Sequence, residues 1–129
     1  MTNPTSNTAV VPSGWHTVTP RLVARDARAL VDFIVHVFSA SGQYEPGTPT
    51  IVQIGDSNLM VSDEGVRRQT SALLYVYVAD LESAYARALE RGALSIEAPF
   101  STPYGDRRAT VEDAWGNVWQ MASRSSGEG

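Results

Sequence analysis

The sequence predicts an α+β fold made of two successive units, each with a strand, a helix and then several short strands. Two observations predict it. The segments VARDARALVDF and VADLESAYARAL each lead from a strand through an aspartate, Asp26 or Asp80, that suits the N-cap of a helix. The segments IGDSNLM and DAWGNVWQM each close a unit with a turn and a strand. A repeat of this kind indicates paired units that bury a core together.

The first unit is predicted to span residues 17–63. Pro20 lies in its first strand and has no backbone N–H to donate, so this strand should lie at a sheet edge or carry a bulge. The following helix carries apolar residues at helical spacing. The expected elements are, in order, a strand over 17–23, a helix from Asp26 to about Phe38, and two or three short strands between 42 and 62.

The second unit is predicted to span residues 71–122, after a charged linker over 63–70. Gly92 follows its helix at the position where a glycine commonly ends one. The expected elements are a strand over 73–78, a helix from Asp80 to about Arg91, a short strand over 94–98, and two last strands joined by a turn at Trp115-Gly116-Asn117. The whole domain should cover 14–124, with polar tails over 1–13 and 125–129.

Composition excludes several classes of function. The 129 residues contain no cysteine, which excludes a disulfide framework, a thiolate nucleophile and a cysteine-based zinc site. The net charge is −4 and no run of Lys and Arg stands out, which argues against nucleic acid and anionic membranes as partners. There is no secretory signal pattern and no apolar run near the roughly 20 residues of a membrane span, so a cytoplasmic protein is expected.

The last stretch, YGDRRATVEDAWGNVWQM over 104–121, contains motifs that resemble those of a known superfamily. YGDR, a strand and then D-x-x-G-x-x-W resembles the vicinal oxygen chelate superfamily, which holds glyoxalases, bleomycin-resistance proteins and extradiol dioxygenases. TVTPRLVARDARALVDFIVHVF and IGDSNLMVSDEG continue the similarity upstream, and the PhnB-like branch is the most similar. The resemblance implies two βαβββ modules whose sheets curl together around a cup. Members commonly dimerise, so a homodimer is expected.

Metal-dependent members of this superfamily hold one divalent ion in the cup with His, Glu or Gln side chains from the first and last strand of each module. By the resemblance, these four positions fall on Thr19, Met60, Leu73 and Gln120. Only Gln120 suits a divalent ion, because a thioether and an isobutyl group cannot hold a hard cation. We therefore expect no metal and no other cofactor. No nucleophile–base arrangement is visible either, so the catalytic residues are left unassigned.

Without a metal, the cup is predicted to bind a small molecule through alternate side chains of its strands. Trp115 and Tyr104 are expected at the rim, where their rings would stack on a flat ligand; the alternative for Trp115 is a place in the core beneath the turn. Asp106 and Arg107 are expected to pair and hold the loop over the cup. The predicted ligand-binding residues are Thr19, Arg21, Asn58, Met60, Leu73, Tyr75, Tyr104, Trp115 and Gln120.

Three classes of function follow from the sequence. The first is a metal-independent binder of a small molecule, such as an antibiotic or an aromatic metabolite. The second is an enzyme of the same superfamily, a lyase, isomerase or dioxygenase, with a non-standard site. The third is a module that binds a protein partner and has a filled cup. The absence of recognisable metal ligands favours the first class.

Overall fold

The computed structural model describes residues 11–124. The predicted tails, 1–13 and 125–129, therefore lie almost wholly outside the described residues. The elements are β1 (Arg21–Ala24), α1 (Ala27–Phe38), β2 (Thr50–Ile54), β3 (Ser57–Asp63), β4 (Leu73–Tyr77), α2 (Leu81–Glu90), β5 (Leu94–Ser101), β6 (Asp106–Glu112) and β7 (Val118–Arg124).

The strands form two sheets, one in each predicted module. The first has the order β1-β3-β2 and the second β4-β7-β6-β5. In both sheets the strand before the helix pairs in parallel with the last strand of its module. The predicted α+β fold with two modules is confirmed. The first module has one strand fewer, because the segment before β2 contributes only an isolated bridge between Ser41 and Gln53.

Both helices begin at the predicted aspartates. An Oδ1 oxygen of Asp26 accepts a hydrogen bond from the Ala29 N–H at 3.2 Å, and Asp80 accepts one from the Ser83 N–H at the same distance. Each carboxylate satisfies a donor that the first helical turn would otherwise leave unpaired. Neither helix in residues 11–124 is long and apolar enough to cross a membrane.

The core lies on the helix side of each sheet and continues between the modules. The ring of Phe38, at the end of α1, packs 5.0 Å from that of Trp119 in β7. The guanidinium of Arg87 in α2 donates to the Val37 carbonyl at 2.7 Å and so satisfies an acceptor at the end of α1. Within residues 11–124, no helix lies on the opposite face of either sheet. These two surfaces are called the first and the second helix-free face.

The first strand is shorter than predicted: it begins at Arg21, whereas the sequence suggested 17–23. Pro20 lies just before it and contributes only its carbonyl, which accepts from the Met60 N–H at 3.0 Å. On the other edge of β1, the Thr70 N–H donates to the Val23 carbonyl at 3.1 Å. The linker between the modules thus covers part of an edge that the sequence suggested would be open.

Candidate functional site

The first helix-free face is set by the register of the first sheet. Met60 in β3 lies opposite Arg21 in β1 and Ile51 in β2, and Asn58 lies one pleat away. Leu59 and Val61, on either side of Met60, are buried in the core. Side chains alternate along a strand, so Met60 and Asn58 point to the other face.

The second helix-free face carries three rows of side chains across its four strands. The central row is polar, and a more aromatic row and a more apolar row flank it. Trp119 and Met121 of β7 are both fully buried on the helix side, which fixes the direction of the residues between and beside them. The rows are Tyr75, Gln120, Thr110, Glu97; then Tyr77, Ala122, Arg108, Phe100; then Leu73, Val118, Glu112, Leu94.

A buried carboxylate organises one end of this face. Asp106 is 1% exposed and accepts hydrogen bonds from the hydroxyls of Tyr75 at 2.7 Å and Tyr77 at 2.9 Å. The guanidinium of Arg124 donates to its other oxygen at 2.8 Å. The hydrogen bond from Tyr75, helped by those from Tyr77 and Arg124, lowers the pKa of Asp106 below its ordinary value. Asp106 is therefore an ionised acceptor that fixes both tyrosine rings.

The same contacts keep the tyrosines protonated. Burial, followed by hydrogen bonds with Tyr104 and Asp106, raises the pKa of Tyr75. The hydrogen bond to Asp106 is the main cause that raises the pKa of Tyr77. A phenol that already donates its proton to a carboxylate, and whose pKa is raised, is a poor general base. These rings thus supply surface and fixed dipoles to the second helix-free face.

Arg108, two residues along β6 from Asp106, is neutralised by a glutamate. Arg108 donates through Nε to Glu97 at 3.2 Å and through Nη1 to the Tyr104 hydroxyl at 2.8 Å. Its guanidinium lies 5.0 Å from the centre of the Phe100 ring. Glu97 also accepts from the Thr110 hydroxyl, the largest cause that lowers its pKa. Arg108 is therefore held in place by an acid, a hydroxyl and a ring.

The predicted pairing of Asp106 with Arg107 is wrong. Adjacent residues on a strand point to opposite faces, so their side chains separate. Asp106 points to the second helix-free face and binds Arg124, whereas Arg107 points to the helix side and binds Glu82 of α2 at 2.7 Å. The Asp106–Arg124 pair joins the two strands of the last hairpin, whereas the Arg107–Glu82 pair joins that hairpin to α2.

The predicted ligand-binding residues fall into three groups. Four lie together at the first helix-free face and four at the second, whereas Trp115 belongs to neither. No strand pairing joins the two sheets in residues 11–124, and the two groups lie on different sheets. The first group is Thr19, Arg21, Asn58 and Met60, and the second is Leu73, Tyr75, Tyr104 and Gln120.

Trp115 packs against the core, contrary to its predicted place at the rim of the cup. Its ring lies edge-on to Phe33 of α1, with centroids 6.5 Å apart. Phe33 is buried, and Trp115 is one of the partly buried residues that cover the core cluster. This is the alternative that the sequence left open for Trp115. We therefore do not include it in the proposed ligand-binding surface.

The D-x-x-G-x-x-W pattern has a structural explanation in the turn before β7. Asp113 is 5% exposed; its Oδ1 accepts from the backbone N–H groups of Trp115 and Asn117, both at 2.9 Å. Its Oδ2 accepts from the indole of Trp119 at 2.8 Å. Gly116 has φ +81°, a conformation that side chains disfavour. Asp113, Gly116 and Trp119, the specified residues of the pattern, therefore all contribute to the structure of this turn.

The residues at the superfamily's metal positions do not fit a divalent ion. In the register, Met60 faces Arg21 and Gln120 faces Tyr75, so neither has a carboxylate or imidazole as its cross-strand neighbour. Within residues 11–124, no three His, Cys, Asp or Glu side chains cluster as metal ligands would. One amide among a thioether, a hydroxyl and an alkyl group is a weak donor set. The function proposed for this protein therefore uses no metal.

Glu97 and Arg108 were not predicted from the sequence. Strict alternation from Leu94 would place Glu97 on the helix side of β5. A register shift between Ser95 and Glu97 turns Glu97 to the helix-free face, opposite Thr110. The Pro99 that follows in a strand was the one available signal of such an irregularity.

A groove of about 310 Å³ runs along the unpaired edge of β4. One wall is strand β4, with Tyr75 and Tyr77, and the other is formed by Pro20 and the β2–β3 turn. The Ala72 carbonyl accepts from the Val118 N–H of β7 and the Val78 N–H donates to the Ala122 carbonyl of β7, so the backbone groups of even-numbered residues face β7. The backbone groups of odd-numbered residues therefore point into this groove.

The paired modules and their helix-free faces define the class of α+β proteins that includes the vicinal oxygen chelate fold. The chain belongs to the Glyoxalase/Bleomycin resistance protein/Dioxygenase superfamily, whose family model matches residues 9–121. Two mycobacterial relatives, from Mycobacterium bovis and Mycobacterium tuberculosis H37Rv, are each 26% identical over 122 residues. The matches cover 81% of this chain and 80% and 72% of those proteins, which are named only as uncharacterised.

Solved structures share the fold. TioX from Micromonospora sp. ML1 has a TM-score of 0.70 and 21% identity, and the match covers 84% of this chain and 98% of TioX. The fosfomycin resistance protein FosX from Mesorhizobium loti has a TM-score of 0.64 and 16% identity, and the match covers 88% of this chain and 95% of FosX. A glyoxalase/bleomycin resistance protein/dioxygenase family enzyme from Burkholderia phytofirmans PsJN has a TM-score of 0.66 and 21% identity, and the match covers 81% of this chain and 94% of that enzyme. At these identities the likeness concerns the fold alone.

Proposed function

We propose that this protein binds a small, partly planar organic molecule without a metal, and that the ligand contacts the helix-free faces. The observation that carries the proposal is the second helix-free face itself. There the hydroxyls of Tyr75 and Tyr77 are fixed by a buried carboxylate while Tyr77 remains 58% exposed. Rings held in one orientation offer stacking area at a small entropic cost.

The charges of this face support binding over catalysis. Asp106 is paired with Arg124, and Glu97 with Arg108, so the four formal charges compensate one another. Acids and bases that serve a reaction need a pKa near the working pH, whereas these acids have lowered values. A lyase, isomerase or dioxygenase remains the alternative, and ligand turnover would be its evidence.

The exposed apolar side chains of the second face favour an open surface over a filled cup. Leu73 is 66% exposed and Leu94 is 67% exposed, at opposite edges of the same sheet. Side chains that filled a cup would be buried against one another. A protein-binding module with a filled cup, the third class, is therefore the less favoured reading.

We also propose that two copies associate through the unpaired edge of β4. This edge carries free backbone groups and Leu73, and unpaired edges are usually covered in native proteins. Two narrower proposals rest on the sequence: a PhnB-like branch on the YGDR motif, and a cytoplasmic location on composition. An antibiotic as the ligand is one version of the same proposal.

The metal part of the proposal is tested by elemental analysis after dialysis against a weak chelator. We expect well under one equivalent of zinc, nickel, iron or manganese per chain, because the donor set is weak. One equivalent that disappears in Gln120→Leu and stays in Gln43→Leu would contradict it. Gln43 is an exposed glutamine in the segment before β2 and serves as the matched control.

The binding part is tested by a screen of bleomycin and planar aromatic natural products, with thermal shift and tryptophan fluorescence as readouts. A compound that binds the second helix-free face should lose at least about tenfold in affinity in Gln120→Leu, as expected for a contact at the centre of a binding surface. The Gln43→Leu control should bind it as the wild type does. A screen in which no compound shifts either signal would count against the proposed function.

A further inference from the structure

Residues 11–19, called the N-terminal strap, run past the first helix-free face before β1 begins. Asn58 on that face donates through Nδ2 to the Gly14 carbonyl at 3.1 Å. Within the strap, the Trp15 N–H donates to the Pro12 carbonyl at 3.1 Å and closes a turn. The strap is therefore held over the sheet by a side chain that the sequence placed in the ligand-binding set.

The strap does not pack flat on the sheet. An open cleft of about 370 Å³ lies between it and Met60 of β3, and a second of about 380 Å³ lies on the side of Asn58. Both volumes are in the range of small-molecule sites.

The lining of the first cleft indicates the chemistry of its occupant. It is formed by Val11, Pro12, Trp15 and Met60, with His16, Thr17 and Thr19 as the polar residues. Among residues 11–124, no carboxylate, lysine or arginine lines it. A polarisable thioether and an indole suit the two faces of a flat ring. An ionised ligand would find no opposite charge to replace its water.

We infer that the N-terminal strap and Met60 form a pocket for a flat, uncharged, apolar molecule, with Trp15 stacked on the ligand. The inference rests on the proposed function, since this pocket is the part of the ligand-binding surface that the first module supplies. It gives Trp15 the role that the sequence suggested for Trp115. The strap holds the ring over the sheet, and the Asn58–Gly14 hydrogen bond keeps the strap in register.

The test uses N-phenyl-1-naphthylamine, an uncharged fluorescent probe with two flat aromatic groups, titrated into the full chain. Saturable binding with one probe per chain is expected. Trp15→Leu should raise the Kd at least about tenfold, the loss expected for an aromatic anchor, whereas Trp15→Phe should stay within about threefold. Trp115→Phe is the matched control and should leave the Kd unchanged. The charged analogue 8-anilinonaphthalene-1-sulfonate should bind at least about tenfold more weakly.

Circular dichroism and melting of each variant show whether it folds, and Trp15→Phe keeps the test valid if Trp15→Leu does not. An unchanged Kd in Trp15→Leu, an equal loss in Trp115→Phe, or no saturable binding would overturn the inference. Gln120→Leu separates the two proposals. If the probe or a screened compound binds and loses affinity in Gln120→Leu but not in Trp15→Leu, the proposed function stands and the pocket assignment falls. If no compound binds any variant, both fall.

Discussion

At the scale of single residues, the second helix-free face depends on one buried carboxylate. Asp106 accepts from two tyrosines and an arginine, and Thr102 fixes its backbone through a hydrogen bond at 3.0 Å. Buried charge is tolerated only where such partners replace water. The YGDR motif thus contributes to the proposed ligand-binding surface through its aspartate, which fixes the rings of Tyr75 and Tyr77.

Asp106→Asn should lower the melting temperature by on the order of 10 °C at pH 7, because it removes a charged acceptor from two phenols and leaves Arg124 without its ion pair. The folded-state pKa of Asp106 lies below its unfolded value of about 3.9, so its stabilisation is complete above that value and is lost as the pH falls through the folded pKa. The difference between wild type and variant should therefore shrink below about pH 4. Melts from pH 2 to 7 measure this, and a constant difference would contradict it.

Trp115→Ala should lower stability without changing ligand affinity. The ring covers Phe33 and the core but remains partly exposed. The expected cost is therefore below the about 3–5 kcal/mol of a fully buried tryptophan. Urea unfolding measures it, with Trp119→Ala as the comparison that should cost more, since Trp119 is fully buried. Loss of affinity for a screened compound in a stable Trp115→Ala would restore its predicted role at the rim.

At the scale of elements, α1 ends in a backbone conformation that is more usual for glycine than for the serine found there. Ser39 ends this helix with φ +53° and ψ +39°, the left-handed conformation that glycine adopts without strain. The segment that follows, over 39–49, is short and gives only a bridge to β2. The first sheet consequently has three strands.

Ser39→Gly should raise the free energy of unfolding by up to about 1 kcal/mol, because glycine removes the strain of a left-handed residue at a helix end. The same substitution at Ser83, within the first turn of α2, is the control and should lower it by about 0.5–1 kcal/mol or more, since Ser83 also bonds Asp80. Denaturant melts of both variants check the pair. A destabilised Ser39→Gly would mean that the serine side chain has a role that its contacts do not show.

At the scale of the whole molecule, the two modules meet through their helices and through linker contacts while their sheets stay unpaired. The Ala72 N–H, just before β4, donates to the Asn117 side chain at 2.9 Å and fixes where the second module begins. The free edge of β4 and the exposed Leu73 then remain for another molecule. A second copy is the proposed occupant, since two-fold dimers are the commonest protein oligomers.

We expect a dimer of about twice 13.9 kDa in light scattering at micromolar concentration. Leu73→Lys should shift it toward the monomer, because a charge would be buried at the shared β4 edge. Leu94→Lys makes the same change at an equally exposed leucine on the opposite edge of the sheet and should leave the mass unchanged. A monomeric wild type, or equal effects of both variants, would contradict the proposed β4 interface.

Much of the fold was determined by the sequence alone, since capping aspartates and apolar periodicity act over a few residues. They fixed both helices and the two-module order. The site was determined only in part. Alternation indicated which side of its strand each of Met60 and Tyr75 faces, but the bulge that turns Glu97 onto the second helix-free face depends on how β5 meets β6.

Only the tertiary structure decided which aromatic residues meet the core and which meet the helix-free faces. Trp115 and Trp15 look alike in sequence, each a tryptophan beside a glycine near a strand. Trp115 packs on Phe33 of α1, whereas Trp15 and Met60 line the same cleft, beside the hydrogen bond from Asn58 to the strap. Both pairs of residues are more than forty positions apart along the chain, and no local pattern encodes which distant surface a side chain will reach.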